Sequence, residues 1–505
     1  MAEAQTLKMM KSLDAPHYDG QRTTWSPTSD IVNMFQDTLV AMDWDGKTVI
    51  PYLAKSWTVT PDGKLYTFKL RDDVSFCSGK KFTADDVVYS FKRLTSPELK
   101  APLAWRAGNL RTSAPPIPTP SEYELAEPFS DLLLNLTMFT TAIHNKESVE
   151  ALGKDYGVKA IDGTGPWCFD SWQPRAEIVL KRHDAYKWGP SMYQNKGPVK
   201  FELSDQDRAG GFEPGRRHAG RPVRRHPPDP AGSSSSRSRP RPTSTSRRRR
   251  PTSSSCTTAT RSTRPMVADK RVREAMNIAI NRADIVKGIM LGNAEPAYTF
   301  IDAKALDFAD RPRASSRRTP SGPRSCSTRP AGRSDADGIR EKDGVKLAPQ
   351  VLFTQVAYFR RVSEAIQGYM RKIGVDWKIV GFDSTIAPAE MAKQDYDLWT
   401  VTFPYMSAGD LLNFYFDSRN MPAPNRMNWN DAADRRVPAK LASASLSDAD
   451  RAKYYALAQQ RVTEEHLWMP VMNVAMYTTS LKKLKGVRPH MLYQNTFYKG
   501  LDYSF

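Results

Sequence analysis

The stretch from Pro214 to Pro265 contains no Ile, Leu, Met, Phe, Tyr or Trp, and Val223 is its only branched aliphatic residue. Residues 311–334 are built the same way, from Arg, Pro, Ser, Thr, Ala and Gly with Cys326 added. Segments of this kind cannot bury enough apolar surface to offset the ordering of their backbone. Disorder is therefore expected across 208–265 and 311–334, and any core must come from the rest of the chain.

The same two segments carry the charge. The net charge is +19 over 505 residues. Residues 208–265 hold 15 Arg against Glu213 and Asp229, and residues 311–334 hold 7 Arg and no acid. The other 423 residues carry 52 basic and 53 acidic groups, so the body is close to neutral. One reading is a basic arm for nucleic acid or anionic membrane, acting through Arg247 to Arg250 for example. Such arms mix Lys with Arg and interleave aromatics, and from Pro214 to Pro265 there is neither. The composition instead points to GC-rich coding sequence translated out of frame, which yields chiefly Arg, Pro, Ser, Ala, Gly and Thr. Ordinary composition returns abruptly at Met266 and Asp335, as a restored frame would give.

Outside these segments, strand and helix signals alternate. Leu65 to Leu70 alternates polar and apolar residues after the turn signal Pro61-Asp62-Gly63 and predicts a hairpin arm. Thr83 caps a helix with Asp86 at the capping-box position, and Val87, Phe91 and Leu94 form its apolar stripe. Val272, Met276, Ala279 and Ala283 predict one helix starting near Asp269. Over residues 359–380, Val362, Ile366, Tyr369 or Met370, and Ile373 line a helix that ends at Gly374, and residues 375–380 follow as a strand. Residues 396–402 read as a buried strand, and 447–462 as a helix capped by Ser447. The alternation predicts α/β layers.

Catalytic signatures are missing. The sequence has no GxSxG, HExxH, P-loop or GxGxxG, and its seven His show no metal-ligand spacing. An enzyme, a metal site and a bound cofactor are therefore not expected. Four Cys without CxxC spacing give no expectation of a zinc or thioredoxin-type site, and no run of 18 apolar residues offers a membrane span. Met1 to Lys11 lacks an apolar signal region and reads as a mature or restarted end. The 11 Trp and 20 Tyr serve either as core or as lining of a ligand cleft, Trp25, Trp167, Trp172 and Trp429 among them.

A series of phrases then carries a resemblance. Pro51-Tyr52-Leu53-Ala54-Lys55-Ser56-Trp57, Asp62-Gly63-Lys64 and Tyr66-Thr67-Phe68-Lys69-Leu70-Arg71 come first. Phe82-Thr83-Ala84-Asp85-Asp86-Val87-Val88-Tyr89-Ser90-Phe91, Gly163-Thr164-Gly165-Pro166 and the run Asp269 to Ala275 follow in order. The chain closely resembles the bacterial family 5 extracellular solute-binding proteins, receptors of ABC importers for dipeptides, oligopeptides and nickel. The resemblance implies a two-lobed α/β fold of the periplasmic-binding-protein kind, type II and cluster C-like, with an extra subdomain in the first lobe. Residues 1–31, 160–265 and 471–505 would form lobe I, 32–159 the extra subdomain and 266–470 lobe II. It implies a monomer that closes around a small-molecule or peptide ligand in the periplasm and delivers it to an importer permease, with no nucleic acid involved.

Peptide receptors of this family are expected to carry an acid after the buried strand of the second lobe, paired with the peptide's amino group. Pro404 stands at that position here, and Asp410 is six residues further on. An ammonium without a counter-charge is costly to bury, so a sugar, an opine-like conjugate or a modified peptide fits as well as a free-amino peptide. Thr400, Thr402, Phe403 and Tyr405 are the expected cleft residues, with Trp25 and Ser26 from the N-terminal loop. An extracytoplasmic location permits a Cys77–Cys168 disulfide; two separate thiols are the alternative.

Overall fold

In the computed structural model the strand Leu65–Leu70 buries Tyr66 and Phe68 and exposes Lys69, the alternation of a sheet with one face on a core. The described residues are 7–11, 14–24, 26–111, 122–174, 176–189, 199–203, 245–250, 254–260, 264–303, 305–309, 333–334, 336–355, 358–383, 386–422, 424–429, 438–474 and 476–481. Leu65–Leu70 pairs antiparallel with Ala54–Val59 on one side and Glu122–Glu124 on the other. Against this small sheet lies the helix Ala84–Thr95. Its Asp86 carboxylate accepts the Thr83 backbone N–H at 2.9 Å, and Val87, Phe91 and Leu94 enter the core, as the capping-box pattern requires.

A second unit is a four-stranded sheet in the order Leu7–Lys11, Val199–Leu203, Glu177–Arg182, Trp167–Gln173. The helix Ser26–Phe35 covers it, burying Ile31, Val32 and Phe35 with Trp167, Ile178 and Leu180. Gly163 lies so close to this helix that a Cβ there would collide with the Phe35 carbonyl oxygen. Backbone packing thus explains the first glycine of Gly163-Thr164-Gly165-Pro166. The Gly163 carbonyl also accepts the Cys77 N–H at 2.9 Å, and a Cys77–Cys168 disulfide joins the small subdomain to this sheet.

The third unit is a six-stranded mixed sheet in the order Ala294–Pro296, Trp468–Val474, Ser254–Thr260, Leu398–Pro404, Gln350–Thr354, Lys378–Phe382. On one face Val351, Leu398 and Met469 meet the helices Lys270–Ala279 and Phe359–Lys372. On the other, Leu352, Trp399 and Trp468 meet Ala408–Phe416 and Asp448–Glu464. Helices on both faces of a sheet make the three-layer α/β arrangement that the alternation of signals predicts.

Three expectations need correction. Residues 254–260, expected to be disordered and assigned to the first lobe, form a strand hydrogen-bonded on both sides within this sheet. The ladder uses main-chain groups, which any non-proline residue supplies, and the small Cys256, Thr257 and Thr258 fit the buried positions. Residues 245–250 are likewise a strand, antiparallel to Met476–Leu481. The chain therefore enters the six-stranded unit just before Ser254 and leaves it just after Val474 along one ribbon. The remainder of both Arg-rich segments, Cys326 included, lies outside the described residues apart from Arg264 to Pro265 and a short strand, Arg333–Ser334.

The helix expected from Asp269 to Ala283 is two helices. Lys270–Ala279 ends before Ile280, Asn281 caps Arg282–Gly288, and Ala283 is exposed. The break turns Arg282 inward, where its guanidinium donates to the Ala297 and Pro470 carbonyls at 2.9 and 2.7 Å. The strand expected from Val375 begins at Lys378, because Gly374 at φ +80° turns the chain and residues 375–377 complete the approach to the sheet.

Candidate ligand-binding site

The strands Gln350–Thr354, Lys378–Phe382 and Leu398–Pro404 run parallel, so their carboxyl ends, Thr354, Phe382 and Pro404, lie along one edge. In open α/β sheets ligands bind in the crevice outside such ends. Here Thr402 Oγ1 lies 3.0 Å from Tyr358 Oη, and the Cys256 thiol also hydrogen-bonds Thr402. Burial pushes the Cys256 thiol up to about 12, so it stays neutral at physiological pH. The groups gathered around Thr402 are thus hydroxyls and a thiol, which donate or accept hydrogen bonds without carrying charge.

The other expected cleft residues separate. Thr400 is buried within the sheet, with its hydroxyl 3.2 Å from that of Thr258. Tyr405 is buried on the opposite side, in the aromatic core with Trp399 and Tyr415, and its hydroxyl accepts the Asp302 N–H. Phe403 pairs with Ser255 through the backbone. Ser26 begins the helix Ser26–Phe35, and Trp25 lies outside the described residues.

Beyond Pro404 the chain crosses toward the first units. Met406 packs in the core of the helix Ser26–Phe35, and Ser407 caps Ala408–Phe416 by accepting the Asp410 N–H at 3.0 Å. Asp410 is buried and committed: one oxygen accepts from Arg106 Nη2 at 2.5 Å and the other from the Met406 N–H at 3.1 Å. Arg106 also donates to Asn135 Oδ1 at 2.7 Å. Beside this pair Tyr455 donates to Asp131 Oδ2, and a Cβ at Gly409 would lie 2.6 Å from the same oxygen. Burial drives the Asp131 carboxyl up to about 6, against the lowering effect of Tyr455. Nothing local in the sequence marks Arg106, Asp131 or Tyr455 as partners; the only available signal was Asp410 three residues after a capping Ser.

Residues 48–422 match the family described as bacterial extracellular solute-binding proteins, family 5. The chain belongs to that family. Among curated relatives, the nickel-binding periplasmic protein of Escherichia coli K12 is 24% identical over 474 residues, covering 90% of this chain and 86% of its own. A glutathione-binding protein, GsiB, from Escherichia coli O1:K1 is 25% identical over 456 residues, covering 86% and 82%. Among solved structures, the Bacillus subtilis oligopeptide-binding protein AppA with a nonapeptide aligns with a TM-score of 0.78 at 18% identity, over 99% of this chain and 98% of its own. The binding protein AgaA of A. tumefaciens R10 with agropinic acid gives 0.78 at 18%, over 99% of both chains. These similarities give this family 5 protein the two-lobed fold. The family and these neighbours are binding proteins and not enzymes. Among the described residues no helix is long and apolar enough to cross a membrane.

Proposed function

We propose that this family 5 protein is a monomeric periplasmic receptor, without catalytic activity, that closes its lobes on an organic solute lacking a free ammonium group and presents it to an importer permease. The observation that carries the ligand class is the commitment of Asp410 to Arg106. With Pro404 at the strand end and Asp410 paired, the first acid that follows the strand in sequence already has its counter-charge. Thr402 and Tyr358 offer neutral hydrogen-bonding groups at the sheet edge, backed by the buried Cys256 thiol. Phe403, Trp25 and Ser26 would supply the apolar and N-terminal sides, while Thr400 and Tyr405 support the strand from within.

The relatives' ligands span peptides, a nickel species, glutathione and an opine, and the neutral edge favours the opine-like or amino-blocked members of that range. Calorimetry with a panel of opine-type conjugates, N-acetylated dipeptides and free dipeptides tests this. A blocked or conjugated solute is expected to bind and raise the melting temperature. Tighter binding of free dipeptides would overturn the ligand class. A response only to polyanions, lost in salt, would favour the basic-arm reading instead.

A further inference from the structure

We infer that Cys77, Cys168 and His183 form a redox-gated site for a thiophilic cation of the zinc(II) type. The two sulfur atoms and a ring nitrogen of His183 all lie within 4.8 Å of one another. Three separate segments converge there. Cys77 follows the hairpin of the small subdomain, Cys168 lies in the strand Trp167–Gln173, and His183 follows the strand Glu177–Arg182. The place belongs to the four-stranded sheet and not to the six-stranded one.

His183 is held in place by its surroundings. The residue is buried, its N–H donates to the Pro166 carbonyl at 2.9 Å, and its ring stands against Trp188 at 5.4 Å between centroids. Nδ1 lies 2.9 Å from the Gly165 carbonyl oxygen, which can only accept. Nδ1 therefore carries the proton, and Nε2 keeps the lone pair that binds a metal. A backbone carbonyl fixing the imidazole tautomer is the usual second layer of a metal site.

In the oxidised state the sulfurs are bonded to each other and are poor ligands. Both cysteines are partly exposed, so a dithiol reductant can reach them. Reduction breaks the S–S bond: the reductant gives up two electrons and two protons, becoming a disulfide, and leaves two thiols. The cation then binds both sulfurs as thiolates with release of two protons, Nε2 as third ligand and water as fourth. Tetrahedral zinc with Zn–S about 2.3 Å and Zn–N about 2.0 Å needs sulfurs about 3.8 Å apart and sulfur–nitrogen distances of about 3.6 Å. A metal clip would then hold the subdomain to the four-stranded sheet in place of the covalent one.

Cobalt(II) titration of the full chain, reduced by a phosphine under anaerobic conditions, reads the site by sulfur-to-cobalt charge transfer. One cobalt per chain is expected in the reduced protein and none in the unreduced protein. The Cys77→Ser/Cys168→Ser variant, which retains Cys256 and Cys326, should lose the band. His183→Gln should weaken binding at least about tenfold. Equal spectra for the reduced parent and the double-serine variant, or unchanged affinity in His183→Gln, would overturn the site. If reduction unfolds the chain, zinc is expected to restore cooperative melting in the parent but not in His183→Gln; failure to do so also overturns it.

Discussion

Arg106 Nη2 and Asp410 Oδ1 meet at 2.5 Å across 304 residues of chain, with both side chains buried. One stands in the short turn Ala104–Ala107 and the other at the start of the helix that follows the strand Leu398–Pro404. Their pairing fixes the crossing segment that carries Met406 into the first core. It also neutralises the first acid that follows Pro404 in sequence.

Breaking that pair from one side should leave a buried, uncompensated charge. Arg106→Ala and Asp410→Ala are each expected to lower stability by about 3–5 kcal/mol. The double variant should lose less than the two single losses together, because no orphan charge remains. Urea denaturation in a double-mutant cycle measures this, and purely additive losses would show that the two groups do not depend on each other.

Asp131 should shape the pH dependence of stability. Its folded value is raised from 3.8 to about 6. A carboxyl raised in this way contributes stability that is fully present below about pH 4 and is lost as pH rises through about 6. Two units correspond to about 3 kcal/mol. Asp131→Asn, which can still accept from Tyr455, should therefore gain stability at pH 7.5 and show little gain near pH 4. His144 acts in the opposite sense. Burial lowers it to about 3, so its contribution is lost as pH falls below 6.5. Melting temperatures of parent and variant across pH 4–8 isolate Asp131; parallel curves would remove it as the cause.

The strand Ser254–Thr260 contains a polar misfit. The Thr257 hydroxyl is buried without a hydrogen-bond partner, opposite Val401 and Pro470. Thr257→Val keeps the shape and removes the orphan group, for an expected gain of about 1–2 kcal/mol in chemical denaturation. The out-of-frame reading makes a second demand: resequencing across 208–265 should reveal a frame that encodes an apolar residue at this position. An intact frame with conventional codon usage would remove that reading.

Gly163→Ala should be among the most damaging small changes. The added methyl meets the Phe35 carbonyl, a backbone atom that cannot move without shifting the helix end. A loss of about 3 kcal/mol is expected, measurable by thermal melting. A change within experimental error would mean that the segment relaxes freely.

Much of the local structure was legible because it obeys short-range rules. Leu65–Leu70, the Thr83 cap and the stripe Val362, Ile366 and Met370 follow from period and capping alone. The candidate cleft was only partly legible. Alternation along residues 398–405 says which side chains share a face, but not that the Thr400 hydroxyl faces Thr258 or that the Tyr405 hydroxyl meets the Asp302 N–H. Those partners lie more than a hundred residues away, and nothing local encodes them.

The Arg-rich composition set the outer limits of this protein. It assigned the net charge of +19 to two segments and left a near-neutral body of α/β pattern to do the work. Composition could not say that residues 254–260 would stand as a strand with a neighbour on each side. A sheet position is filled by backbone hydrogen bonds, and these depend on the flanking strands more than on the side chains displayed. The pairing of Arg106 with Asp410 and the meeting of Cys77, Cys168 and His183 were likewise decided only when distant segments packed together.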